Sequence, residues 1–133
     1  PAVWGWFWGK FVGKNISIMW TDIFKNPWTQ YIMMVLNQDN GSYINIPYEK
    51  IQFTMTNYTF DDGWLIPTSF LFKVEDDPIR IDIKADAVNI VHQTSFVSFN
   101  YWRYHVHVEG TVTFNSITEN IDNVQIMDLT RFW

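Results

Sequence analysis

The chain has 133 residues, 47% hydrophobic and 17% charged, with a net charge of −5 at pH 7. That composition excludes a disordered polymer, and the acidic balance argues against nucleic acid or an anionic lipid surface as partner, since both recruit clustered Lys and Arg. Without cysteine neither a disulfide nor a thiolate metal site is available, and no apolar run reaches the roughly 20 residues of a membrane-spanning helix. One domain spanning 1–133 fits the length. The cytoplasm is the favoured compartment, and Pro1 in place of an initiating Met reads as the start of a trimmed or excised piece.

In chain order, Trp4, Trp6 and Trp8 share one face of a first strand, and Gly5, Phe7, Gly9 and Phe11 share the other. After a turn at Gly13-Lys14-Asn15, the residues Ile16, Ile18 and Trp20 alternate with Ser17, Met19 and Thr21. Lys25-Asn26-Pro27 marks the next turn, and Pro27 is placed to open a helical turn at the start of the segment Trp28 to Leu36. Asp39-Asn40-Gly41, Asp61-Asp62-Gly63, Asp76-Asp77-Pro78 and Asn115-Ser116 mark further turns. Between them Phe70, Phe72 and Val74 oppose Leu71, Lys73 and Glu75, and Ile79, Ile81 and Ile83 oppose Arg80, Asp82 and Lys84. Val106 and Val108 oppose His105, His107 and Glu109; Val124, Ile126 and Asp128 oppose Gln125, Met127 and Leu129. Period-2 alternation between closely spaced turns, with no long helical segment, predicts an all-β antiparallel domain of about nine or ten strands. A barrel and a sandwich show the same alternation, and only a barrel leaves a central cavity.

Three stretches and the closing strand carry a family resemblance. Trp4-Gly5-Trp6-Phe7-Trp8 followed by Ile16-Ser17-Ile18-Met19-Trp20, then Leu65-Ile66-Pro67-Thr68-Ser69-Phe70 running on to Ile79–Ile83, then Tyr101-Trp102-Arg103-Tyr104 through Gly110, and Val124 to Thr130 resemble, in order, motifs of the hydroxyneurosporene synthase and AttH-like group. The resemblance implies a lipocalin-like barrel, the C-terminal of two tandem lipocalin-like domains, with a second such domain as partner. Arg103 and Tyr104 stand where that group carries an acid and a glycine. A hydratase or isomerase role resting on that acid is therefore not implied.

Arg103, His105, His107 and Glu109 share one face of one strand, and two His two apart project the same way. They are able to share a metal with Glu109 or His92. The alternatives are a solvated outer face or a polar patch where a His exchanges protons near neutral pH. The solvated face is the favoured reading, and no metal or other cofactor is expected. Asp61-Asp62 and Asp76-Asp77 read as turn formers. Trp6, Trp8, Trp20, Trp64, Tyr101, Trp102 and Tyr104 are the candidates to line a cavity for an apolar ligand, although rings of this size are equally core. The expected function is binding of a hydrophobic, isoprenoid- or lipid-like small molecule. The alternatives are a hydratase, cyclase or isomerase of an isoprenoid-like substrate, and a carbohydrate-binding β-domain. Catalysis would need an acid such as Glu109 or Asp22 to protonate a double bond, its pKa raised by a dry pocket. The readings divide on whether a carboxylate points into the cavity, and Glu109 falls on a polar face.

Overall fold

The computed structural model describes residues 4–26, 29–94 and 99–132. Eleven strands account for almost all of them: β1 Gly5–Val12, β2 Ile16–Asn26, β3 Thr29–Gln38, β4 Tyr43–Ile46, β5 Ile51–Thr56, β6 Thr59–Asp61, β7 Trp64–Ile66, β8 Ser69–Asp76, β9 Ile79–Thr94, β10 Asn100–Phe114 and β11 Ile117–Arg131. Nine form one antiparallel sheet in the order β4-β3-β2-β1-β11-β10-β9-β8-β5, and β6 and β7 form a separate hairpin. The sheet curls until its edges β4 and β5 become neighbours in sequence, joined through Pro47 and a single 3₁₀ turn at Tyr48–Lys50. Ring contacts across the interior show the curvature. Phe53 on edge strand β5 lies 5.6 Å from Trp20 on β2, and Phe11 on β1 lies 5.6 Å from Phe72 on β8. The result is a nearly closed, lipocalin-like all-β barrel, as expected from the alternation.

Each of the six predicted turns joins two strands. At Asn115-Ser116 both residues have positive φ, 50° and 66°, the geometry of a type I′ hairpin that matches the twist of the flanking strands. The helical turn expected after Pro27 is a correction. Pro27 and Trp28 lie outside the described residues, and from Thr29 onward the chain is strand. The Asn26 carboxamide oxygen accepts the Thr29 N–H at 2.8 Å. That three-residue bond also begins helices, but here the register of β2 on β3 carries the chain straight back.

The alternating faces resolve into an inside and an outside. Phe7, Phe11, Ile18, Trp20, Phe70, Phe72, Val74, Ile81, Ile83, Trp102, Tyr104, Val106, Met127 and Leu129 are almost fully buried. On β1 the Gly and Phe face points inward, and the Trp face points outward. A Cβ on Gly9 would stand 2.7 Å from the Trp20 Nε1 and 2.9 Å from its ring. The small residue on β1 therefore makes room for the large one on β2. Far from the hairpin, the barrel is filled by Trp20, Phe11, Phe72 and Phe53, whose centroids lie 4.7–5.8 Å apart in tilted or edge-on contacts. That spacing suits aromatic quadrupoles.

Candidate functional site

The β6–β7 hairpin caps one end of the barrel, and each of its anchors is a side chain from β9, β10 or β11. The Trp102 indole N–H donates to Asp61 at 2.9 Å, and the His92 Nδ1 meets Asp62 at 2.7 Å. The Tyr104 hydroxyl donates to the Pro67 carbonyl at 2.8 Å, and Arg131 Nη1 donates to the Leu65 carbonyl at 3.2 Å. His92 also stacks on Trp102, with centroids 4.3 Å apart and planes 8° from parallel. Trp64 meets the same indole edge-on at 5.6 Å. Asp61 and Asp62 thus act at a turn, as the sequence predicts, and in addition tie that turn to the barrel. Burial is the main cause holding the Tyr104 phenol in its protonated, donating form.

Beneath and beside this cap lies a cavity of about 460 Å³, within the range of roughly 300–1,000 Å³ typical of small-molecule sites. Phe7, Phe24, Met55, Ile66 and Leu129 give it apolar walls; Gln30, Tyr58 and Arg131 give it polar groups. The lining comes from the start of β1, the end of β2, the start of β3 and the end of β11, all at the hairpin end. Arg131 continues the inward alternation Met127, Leu129, Arg131 on β11. Its guanidinium carbon lies 4.9 Å from the Trp64 ring centroid and 5.9 Å from that of Trp4. Its Nε is buried with no hydrogen-bond partner. Among the described residues its side chain joins no ion pair; those present are Lys84–Asp86, His92–Asp62, Arg103–Asp128 and His107–Asp122. Burial pushes its pKa below the ordinary arginine value, with Tyr104 acting in the opposite direction.

Asp22 is the second anomaly. It extends the inward alternation Ile18, Trp20, Asp22, Phe24 on β2 and sits in register between Phe7 on β1 and Ile32 on β3. The residue is fully buried, and neither carboxylate oxygen has a partner. Desolvation raises its pKa from the ordinary 3.8 to about 7, because a dry, apolar surrounding penalises the charged form. Its strand neighbours Phe7 and Phe24 line the cavity, while Asp22 itself lies behind that wall. Tyr58, another lining residue, has its phenol pKa raised by burial first and by the Asp22 charge second, so the acid is electrostatically felt in the cavity.

The other sequence candidates divide by face. Trp20, Trp102 and Tyr104 are interior: Trp20 belongs to the packed end, while Trp102 and Tyr104 hold the cap. Trp6 and Trp8 lie on the outer face of β1, Trp8 being 48% exposed. Tyr101 lies on the outer face of β10 and donates to Asp128 at 2.5 Å. None of these six borders the cavity, whereas Trp4 does. His105, His107 and Glu109 share the outer face of β10, as the alternation predicts. His107 Nε2 bonds Asp122 across the strands at 2.6 Å. With Glu109 that pair forms a cluster of metal-ligating groups which does not include His105; His92 falls in a separate cluster with Asp61 and Asp62. Arg131 has no place among the candidates drawn from sequence. Its signal is the same period-2 extension that turns Asp22 inward.

No family model matches the chain, and neither the curated proteins nor the solved structures provide a match.

Proposed function

We propose that the barrel binds a hydrophobic small molecule in the cavity under the β6–β7 hairpin. The observation that carries this reading is an apolar space of about 460 Å³ in a barrel whose opposite end is packed solid with aromatic rings. A few convergent polar groups in a mainly apolar pocket are the usual composition of a ligand site. A sugar platform has less support, because among the described residues Trp8 is the one Trp exposed to nearly half its surface. The proposal keeps the resemblance to the hydroxyneurosporene synthase and AttH-like group, and with it a second lipocalin-like domain as partner. Native mass spectrometry with isoprenoid alcohols and fatty acids tests it directly. The expected result is a one-to-one adduct with a change in Trp fluorescence, lost in Met55→Trp, which fills the cavity. No adduct, or equal uptake by a folded Met55→Trp protein, refutes it.

Asp22 favours a second reading, acid catalysis on the bound molecule. A carboxyl kept neutral to about pH 7 is suited to donate its proton to a carbon–carbon double bond near physiological pH. Water adding to the resulting cation returns the proton to the carboxylate, which completes a hydration. The expected behaviour is conversion of an unsaturated ligand by the wild type and binding without conversion by Asp22→Asn. Conversion at the same rate in both proteins removes Asp22 from the chemistry.

A further inference from the structure

We propose that Arg131 anchors the head group of the ligand, and that the ligand is an amphipathic acid, an apolar chain ending in a carboxylate. This rests on the cavity reading above and narrows it to one chemical class.

A guanidinium at the edge of an apolar cavity is costly unless something balances its charge. Arg131 reaches that position without an acid: its contacts are the Leu65 carbonyl and the faces of Trp64 and Trp4. The carboxylates on the hairpin are otherwise engaged, Asp61 by Trp102 and Asp62 by His92. Asp22 lies behind the cavity wall and forms no ion pair. The buried Nε is left without an acceptor, and orphan donors of this kind cost stability until a partner arrives.

The geometry is also preorganised. The Leu65 carbonyl holds Nη1, and the indole of Trp64 lies within cation–π distance. Such restraint lowers the entropy lost on binding, and Arg presents a fork that suits a planar two-oxygen group. One cation balances one negative charge. A phosphate monoester carries about −1.5 to −2 at pH 7 and would place a second charge against Phe7, Phe24 and Leu129. A carboxylate leaves no such excess, and its hydrocarbon tail fits walls made by Phe7, Phe24, Met55, Ile66 and Leu129.

The test compares dodecanoate, 1-dodecanol and methyl dodecanoate on the wild-type protein by isothermal titration at low salt. The three share a chain and differ at the head. Dodecanoate is expected to bind at least about tenfold tighter than either neutral analogue, since charge-assisted hydrogen bonds exceed neutral ones by that order. In Arg131→Gln the advantage should vanish through weaker acid binding, with alcohol binding unchanged. Equal binding of all three by the wild type overturns the head-group assignment and leaves the cavity reading standing. Binding of none overturns both. Because the wild-type comparison varies the ligand alone, it decides the matter even if the substituted protein fails to fold.

Discussion

Asp22→Asn should convert a pH-sensitive protein into one less sensitive, and the size of the change follows from the burial of one carboxyl. In the unfolded chain the acid titrates near 3.8, and in the barrel near 7. The native state therefore binds the proton more tightly, so stability is greatest below the unfolded value and falls as pH rises towards and through the folded one. The full difference amounts to roughly 4 kcal/mol. About 2–3 kcal/mol of it is lost between pH 5 and pH 8, where the unfolded acid is already ionised and the native one becomes so. Asparagine keeps the shape and removes the titration. Urea unfolding followed by Trp fluorescence should show the variant gaining about 2–3 kcal/mol on the wild type between pH 5 and pH 8, or roughly 10 °C in melting temperature for a chain of this size. A difference between the two proteins that stays constant across this range would refute the reasoning. It would mean that Asp22 reaches water or a partner in the native state.

Gly9→Ala should destabilise the barrel by about 1–3 kcal/mol, because the new methyl meets the Trp20 indole in a packed core; thermal unfolding measures it. Ser116→Gly should stabilise by roughly 0.5–1 kcal/mol by relieving a positive φ at the second residue of the β10–β11 turn, read as a higher urea midpoint with an unchanged slope. His107 has its pKa raised chiefly by its hydrogen bond to Asp122. Asp122→Asn should lower the His107 midpoint seen by NMR titration, and an unchanged midpoint would show that the pair is not formed in solution.

The strand pattern was legible because side chains alternate strictly and the turn residues are chemically marked. Ile79 to Lys84 read correctly from six letters. Period 2 does not say which face is inside, and on β1 the heavier face misled. Trp6 and Trp8 look more buried than Gly5, Phe7 and Gly9 until the need of Trp20 for space is known, and that need comes from another strand. The short β6–β7 hairpin was visible only as a turn. Its role as a cap depends on Trp102, His92, Tyr104 and Arg131, which are distant in sequence. Asp22 was named as one acid among several, and Arg131 was missed because its strand is most conspicuous for apolar residues. In both cases the inward assignment follows from extending a run already recognised, Ile18–Trp20 on β2 and Met127–Leu129 on β11. A charged residue in phase with buried ones is therefore the stronger signal, and on β10 the His and Glu run out of phase with the buried Val, on the outer face.

Asp22 and Arg131 carry opposite charges towards the same end of one barrel, yet they do not pair. Selection for stability alone would bring them together or replace both by apolar residues, since such replacements of buried charges are often neutral or stabilising. Keeping them apart leaves an acid that prefers to be neutral and a cation with an unfilled donor. The two respond differently to an incoming acid. Its carboxylate gains the guanidinium, while Asp22, held neutral below about pH 7, adds no repulsion. Above that value Asp22 ionises and the same cavity becomes less hospitable to an anion. The separation therefore makes uptake of a carboxylate and protonation of Asp22 mutually reinforcing, a coupling that a paired Asp–Arg couple would abolish.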